Sequence, residues 1–427
     1  AYQSAAPQAL HIMTISTEQK VGLFFLLRED VHAPAALDTY QATPEKGRYL
    51  ALVGNCTSCH TREGGKPYAG GVEFQTPFGI LYSTNITMDR ETGIGGWSFE
   101  DFFDAMKHGV RPDGTHLYPA FPYTDFARLT DEDIASLFLF VQTIAPEAVP
   151  ARPNELAFPY SVRPLLVVWK VLFHDLDSYS PDMTRSDSWN RGAYLVEGPG
   201  HCGACHTPRN FLGAEQEDLA LTGGVYLDKV KTGKFREWSG VNLTPAPTGL
   251  AKWNEDDIVA YLKNGQSRHA VVNGPMNDVV MNSTRFLTDA DAAAMAAYLK
   301  GIPANEQRGS GAPDPETLRA GEIGYTVHCG SCHLPTGLGD DILGVSLAGS
   351  AIVQAENPAS LLNVILYGPH LPAPPFVVDR TQMKMFGKKL GKILNKMLEK
   401  IIAKTCLIGS TIHMTLELCR FKLTGQG

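Results

Sequence analysis

No stretch of this 427-residue chain reaches the roughly 18 consecutive apolar residues that a membrane-crossing helix needs. Val21 to Leu27 is apolar, but it is too short for a span or for a signal core with its cleavage site. The chain therefore reads as mature, with its signal already removed, and any membrane contact is expected to be peripheral. Charge is sparse at 19%, with a net balance of −8. Phosphate backbones are bound by concentrated basic surface, so nucleic acid is not an expected partner. There is no Ser-His-Asp arrangement, no phosphate-binding glycine loop and no dinucleotide fingerprint, and no grouped carboxylates stand above ordinary solvated charge. Cysteine is scarce as well: there are 8, and six of them fall into one repeated spacing.

That spacing is Cys56-Thr57-Ser58-Cys59-His60, then Cys202-Gly203-Ala204-Cys205-His206, then Cys329-Gly330-Ser331-Cys332-His333. Cys-x-x-Cys-His reads as covalent attachment of haem c. Two residues between the cysteines let one turn of chain reach both thioether positions. The histidine follows at once because its ring must take an axial position on the iron. A disulfide framework gives no reason for a histidine after every pair. A zinc ribbon would bring its Cys-x-x-Cys pairs close together, whereas these lie more than a hundred residues apart. The cofactor expectation is three covalently bound haems c. Such attachment in bacteria occurs outside the cytoplasm, which predicts a periplasmic location.

Three motifs divide the chain into three domains of ordinary size, roughly 100–150 residues each. The expected class is mostly α, with three tandem haem domains and long irregular loops. An N-terminal extension covers residues 1–43. The domains follow at 44–160, 161–310 and 311–390, with a tail at 391–427. Lys46 to Val53 reads as a helix leading into the first motif, and Thr61 to Gly96 as a loop layer rich in Gly, Thr and Pro. Trp97 to His108 reads as a helix with Ser98 as N-cap and Phe99, Phe102, Phe103 and Met106 at helical spacing. Thr130 to Ile144 reads as the closing helix. Five prolines mark Ala145 to Pro164 as a linker, and Gly301 to Pro315 reads as a second.

The second domain repeats the first. Asn85-Ile86-Thr87 answers Asn242-Leu243-Thr244, and Trp97 and Gly109 answer Trp253 and Gly265 at an offset of 156. The repeat bears on the sixth iron ligand, which small haem domains take from the loop before the closing helix. In the second domain Met276, in Gly274-Pro275-Met276, is the expected sulfur ligand, with His269 and Met281 as alternatives. The offset of 156 places Ala120, beside Phe121, where that methionine stands. At the first motif three readings stay open: His116 as a second imidazole, Met106 or Met88, or an open position. At the third, Met383 is the expected ligand, with Met385 and His370 behind it. From Leu390 an apolar stripe runs opposite a row of lysines, a basic amphipathic pattern that fits a membrane surface or a closing helix. Cys406 and Cys419 belong to no motif.

Taken together, the three motifs, Asn85-Ile86-Thr87, Thr92-Gly93-Ile94-Gly95-Gly96-Trp97, Leu117-Tyr118-Pro119-Ala120-Phe121-Pro122-Tyr123 and Gly274-Pro275-Met276 carry a resemblance. The chain resembles the three-haem cytochrome c subunits of membrane-bound periplasmic dehydrogenases, best known from acetic acid bacteria, over roughly residues 45–390. The resemblance implies electron transfer from a catalytic dehydrogenase subunit to ubiquinone, with substrate chemistry on the partner. Where alcohol and sugar dehydrogenase subunits typically carry methionine, this chain has Phe121. The Pro-Ala-Phe-Pro-Tyr form with His116 nearby is more similar to cytochromes serving molybdopterin aldehyde dehydrogenases that also have an iron–sulfur subunit. A multi-haem peroxidase is the rival expectation if the first iron has an open position.

Overall fold

The structure is a computed structural model, and it describes residues 34–229, 235–306, 313–340 and 344–368. The chain divides into two compact units. One comprises Ala1–Ala204 with Arg209–Glu215, and the other Cys205–Pro208 with Gln216–Gly427. Among the described residues no helix is long and apolar enough to cross a membrane.

In the first unit the expected helices form, and each has a capping side chain at its start. Pro44–Val53 starts with proline at its first turn, and the Thr43 side chain accepts from Lys46 N. Ser98 and Asp101 close a reciprocal capping box on Phe99–Lys107. Thr130 caps Asp131–Val141 through Asp133 N. The first and last of these helices pack tightly because Gly47 has no side chain. A Cβ there would lie 1.8 Å from the Ser136 carbonyl oxygen. Leu50, Phe102, Phe103, Met106, Leu129, Ile134 and Phe138 form the core. Cys56, Met88, Trp97 and Phe121 pack against it.

Two segments differ from expectation. The layer after His60 is not all loop: Glu73–Thr76 and Gly79–Tyr82 make an antiparallel hairpin, and Glu155–Leu156 adds an edge strand from within the proline-rich linker. These strands are short and half-buried, so they show no alternating apolar pattern to read. The linker then continues into a helix, Leu165–Phe173, with no capping side chain at its start. Lys170 of this helix is fully buried, and its amine donates to the carbonyls of His108 (2.5 Å) and Gly109 (2.8 Å). Lys107, also buried, donates to the carbonyls of Ala127 (2.8 Å) and Leu129 (2.6 Å) and to Ser178 Oγ (2.6 Å). The two lysines fasten the linker onto the domain. Asp187–Glu197 then leads to the second motif and is tied back by Tyr194 Oη, which donates to Asp133.

The second unit repeats the pattern. Gly224–Lys229 pairs antiparallel with Phe235–Gly240, with Tyr226 opposite Trp238. Asn254 and Asp257 cap Glu255–Asn264 with a second reciprocal box, and Thr288 caps Asp289–Gly301. Pro315–His328 runs into the third motif. Ala359–Tyr367 docks on the second hairpin: Ser360 Oγ donates to Ser239 O (2.9 Å), and Asn363 Nδ2 to Glu237 O (2.7 Å).

The Asn-x-Thr repeat has one purpose in both units. Asn85 Nδ2 donates to Glu147 O (2.7 Å) while its Oδ1 accepts from Thr87 N (2.9 Å). Asn242 Nδ2 donates to Asn305 O (2.9 Å), and its Oδ1 accepts from Thr244 N and Oγ1 (2.8 Å each). Each asparagine thus pins the segment after a closing helix. Leaving buried donors and acceptors unmet costs about 1–3 kcal/mol. Asn242→Ala should lower stability by about 2–3 kcal/mol, read as a lower urea midpoint with unchanged slope. A change below about 0.5 kcal/mol would show that the clamp carries no stability.

Candidate functional site

Each Cys-x-x-Cys-His segment forms a short helix or its last turn, Cys56–His60, Gly203–His206 and Gly330–His333. Three backbone contacts then recur. The ring Nδ1 of the motif histidine bonds a carbonyl oxygen: His60 to Thr84 (2.7 Å), His206 to Val241 (2.8 Å), His333 to Val345 (2.8 Å). A glycine N–H donates to the histidine's own carbonyl: Gly70 (2.7 Å), Gly223 (2.8 Å) and Gly339 (3.0 Å). Two residues past the carbonyl acceptor, a backbone N–H donates to a residue of positive φ: Ile86 to Tyr68, Leu243 to Leu221, Leu347 to Gly337.

The first contact fixes the chemistry. A carbonyl can only accept, so Nδ1 carries the proton and the Nε2 lone pair is left for a metal. That is how ligating histidines are oriented. Burial holds the His60 and His206 rings below the usual imidazole range, against the carbonyl bonds that pull the other way, so both are neutral near pH 7. All six motif cysteines are free thiols, and burial pushes the Cys56 thiol up to about 11. Two free thiols beside an imidazole with an open Nε2 is the donor set that covalent haem requires, and it is present three times.

The backbone also refines the register between the loops that follow Gly109 and Gly265. Leu117 N donates to Gly109 O (2.8 Å), and Val272 N donates to Gly265 O (2.7 Å). Gly265 follows Gly109 by 156 positions, but Val272 follows Leu117 by 155, so the second loop is one residue shorter. Phe121, rather than Ala120, therefore stands in the register of Met276. The Phe121 ring lies edge-on to Phe126 (5.3 Å) and against the core on which Cys56 also packs. Met276 opens the helix Met276–Asn282 after Gly274-Pro275, and Gly274 sits under the Trp238 ring.

His116 is held at Nδ1 by Lys170 Nζ (2.9 Å), and its carbonyl accepts from Arg163 Nη1 (2.7 Å). Burial and Lys170 together push the His116 ring down to about 4, and burial brings Lys170 down to about 7. Met106 is buried in the core and Met88 packs against it. His269 lies 3.3 Å from Asp257 with its ring beside Trp253, and Met281 Sδ accepts from Arg285 (3.6 Å). Met383, Met385, His370, the tail 391–427 and its two cysteines lie outside the described residues. Sequence reasoning missed Lys170, a lone lysine among apolar residues just past the proline-rich linker. It could not have found the carbonyls of Thr84, Val241 and Val345, which have no side-chain signature, although the adjacent Asn85 and Asn242 mark two of them.

Fold and donor set define a c-type cytochrome, and the cytochrome c family model matches residues 190–303. The chain is 39% identical over 373 residues to the cytochrome c subunit of the quinone alcohol dehydrogenase of Gluconacetobacter polyoxogenes, covering 83% of this chain and 78% of that one. It is 36% identical to the fructose dehydrogenase cytochrome subunit of Gluconobacter japonicus, over 82% of this chain and 74% of the relative. It is 42% identical to a nicotinate dehydrogenase subunit of Pseudomonas putida, over 77% of this chain but 28% of that protein, so it spans little more than a quarter of that relative. The chain belongs to the family of dehydrogenase cytochrome c subunits.

Gly70 shows how tightly the histidine loop is drawn. Its φ is +71°, and a Cβ would meet the Thr84 carbonyl carbon at 2.4 Å. Gly114 has a similar φ of +74° with nothing within 4 Å. Gly114→Ala should cost about 1 kcal/mol from backbone strain alone, and Gly70→Ala about 1–3 kcal/mol more, with reduced haem retention. Equal melting temperatures for the two variants would contradict this account of the loop.

Proposed function

We propose that the chain carries three haems and conducts electrons from a periplasmic dehydrogenase subunit to ubiquinone at the bacterial inner membrane. The observation that carries this reading is the threefold recurrence of the imidazole–carbonyl bond directly after a pair of cysteines. Covalent haem, when bound, supplies one-electron redox chemistry. Residues 44–160, 161–310 and 311–390 are the three haem domains of this reading. Cys56 with Cys59, Cys202 with Cys205, and Cys329 with Cys332 anchor the groups. His60, His206 and His333 take the fifth iron position, oriented by their carbonyl partners. Met276 and Met383 would supply a further iron ligand in the second and third domains, and His116 in the first. A thioether raises the potential relative to a second imidazole, so the first domain would be the low-potential one.

A catalytic partner follows from membership of the family. An aldehyde dehydrogenase of the molybdopterin and iron–sulfur type is the partner favoured by Phe121 and His116. A quinoprotein alcohol dehydrogenase or a flavin-dependent sugar dehydrogenase is the alternative. In membranes holding the assembled complex, an aldehyde should reduce the haem absorption bands of this chain and added ubiquinone should reoxidise them. Reduction by an alcohol or a sugar, but by no aldehyde, would reassign the partner. Bands that ubiquinone leaves reduced would remove it as acceptor.

Phe121 in the register of Met276 favours one other reading, an open first site with peroxidase activity. Low-temperature EPR separates the two. With His116 as ligand, the oxidised chain is wholly low-spin, and His116→Ala produces a high-spin signal. A high-spin signal in the unaltered chain, with peroxide turnover, would establish the second reading.

A further inference from the structure

The linker that Lys170 fastens turns an unusual face outward. Phe158 is 83% exposed, and Val162, Leu165, Val168 and Leu172 are exposed beside it. Phe211, 84% exposed, belongs to the same face: Trp169 Nε1 donates to Leu212 O (3.0 Å), which lays that loop on the helix. Apolar side chains are common on surfaces singly, whereas a contiguous group of this kind marks a contact.

The charges of this segment are arranged in the reverse of a water-facing helix. A surface lysine normally extends its amine into solvent. Lys170 instead points inward, donating to His108 O and Gly109 O, with His116 Nδ1 at 2.9 Å. No aspartate or glutamate occurs from Leu156 to His174, in a chain whose net charge is −8. Arg163, at the start of the helix, is the one guanidinium on the strap. Protein interfaces carry about one hydrogen bond per 100–200 Å², and the side chains of Phe158, Val162, Leu165, Val168, Leu172 and Phe211 offer no donor or acceptor. The nine-residue helix extends about 14 Å at 1.5 Å per residue, too short to span a bilayer and suited to lying in its surface.

We propose that this face seats the chain on a phospholipid bilayer, with Leu165–Phe173 lying in the interfacial plane and Phe158 and Phe211 inserted among the acyl chains. Arg163 would meet headgroup phosphates at the rim. This places a membrane contact on a segment of the first compact unit, apart from the lysine-rich tail. It deepens the membrane placement proposed above but needs neither the quinone nor the aldehyde assignment, so the two readings can fail separately.

The test uses full-length holoprotein and vesicles of phosphatidylethanolamine and phosphatidylglycerol. Wild type should float with the vesicles. The quadruple variant Phe158→Ser, Leu165→Ser, Val168→Ser, Phe211→Ser should lose roughly tenfold or more of that partitioning while keeping its haem content. In wild type, amide exchange in residues 157–174 and 209–213 should slow when vesicles are added. The proposal is overturned if the variant floats as wild type does, or if vesicles leave exchange in both segments unchanged. It is equally overturned if wild type stays in solution, or if sedimentation shows a dimer that the variant abolishes, which would assign the face to a second copy.

Discussion

The bond between a motif histidine's Nδ1 proton and a backbone carbonyl is the constraint on which the rest of this chain depends. It is one neutral hydrogen bond, worth about 0.5–1.5 kcal/mol net, yet it does two things at once. It locks the ring in the tautomer that leaves Nε2 open, and it returns the chain to the motif from a distance. The intervening loops differ in length: Gly70, Gly223 and Gly339 close back onto His60, His206 and His333. Loop closure costs grow only slowly with length. The first two copies therefore each carry a whole hairpin between the histidine and its carbonyl partner, Glu73–Thr76 with Gly79–Tyr82 and Gly224–Lys229 with Phe235–Gly240.

What surrounds that bond is a set of devices that hold loops in place rather than a large continuous core. Asn85 and Asn242 pin the segments that follow the closing helices. Lys107 and Lys170 hold the linker by donating to carbonyls. Burying an ammonium group is expensive unless its hydrogen bonds are met, and both lysines meet theirs on backbone oxygens and short side chains. The fully buried Lys170 is held near 7 by desolvation. Because that value lies below the unfolded one, the unfolded chain binds the extra proton between about pH 7 and 10.5, and this group's cost to folding shrinks as pH rises through that window. The arrangement turns the polar end of the strap inward and its apolar side chains outward.

Much of this was legible in the residues. Ser98 and Thr130 announced helix starts, because a cap is a local hydrogen bond between a side chain and the backbone three positions on. The motif spacing announced the donor sets, since covalent attachment leaves little freedom. The hairpins were not legible, being short, half-buried and glycine-bounded. Nor was the one-residue shortening that moves Phe121 into the register of Met276. A constant offset of 156 held from Trp97 to Gly109 and failed only within the following loop, where no side chain marks the deletion. Lys170 was illegible for a different reason: a lysine among valines and leucines reads as solvent-facing until its carbonyl partners, distant in sequence, are placed.

The central claim is that three sites of one geometry each hold a covalent haem. The most direct test is the intact mass of the denatured holoprotein, which retains only covalently attached groups. The account predicts a single species carrying three haems. A species carrying two, with the thiols of Cys329 and Cys332 still free to alkylation, would contradict it.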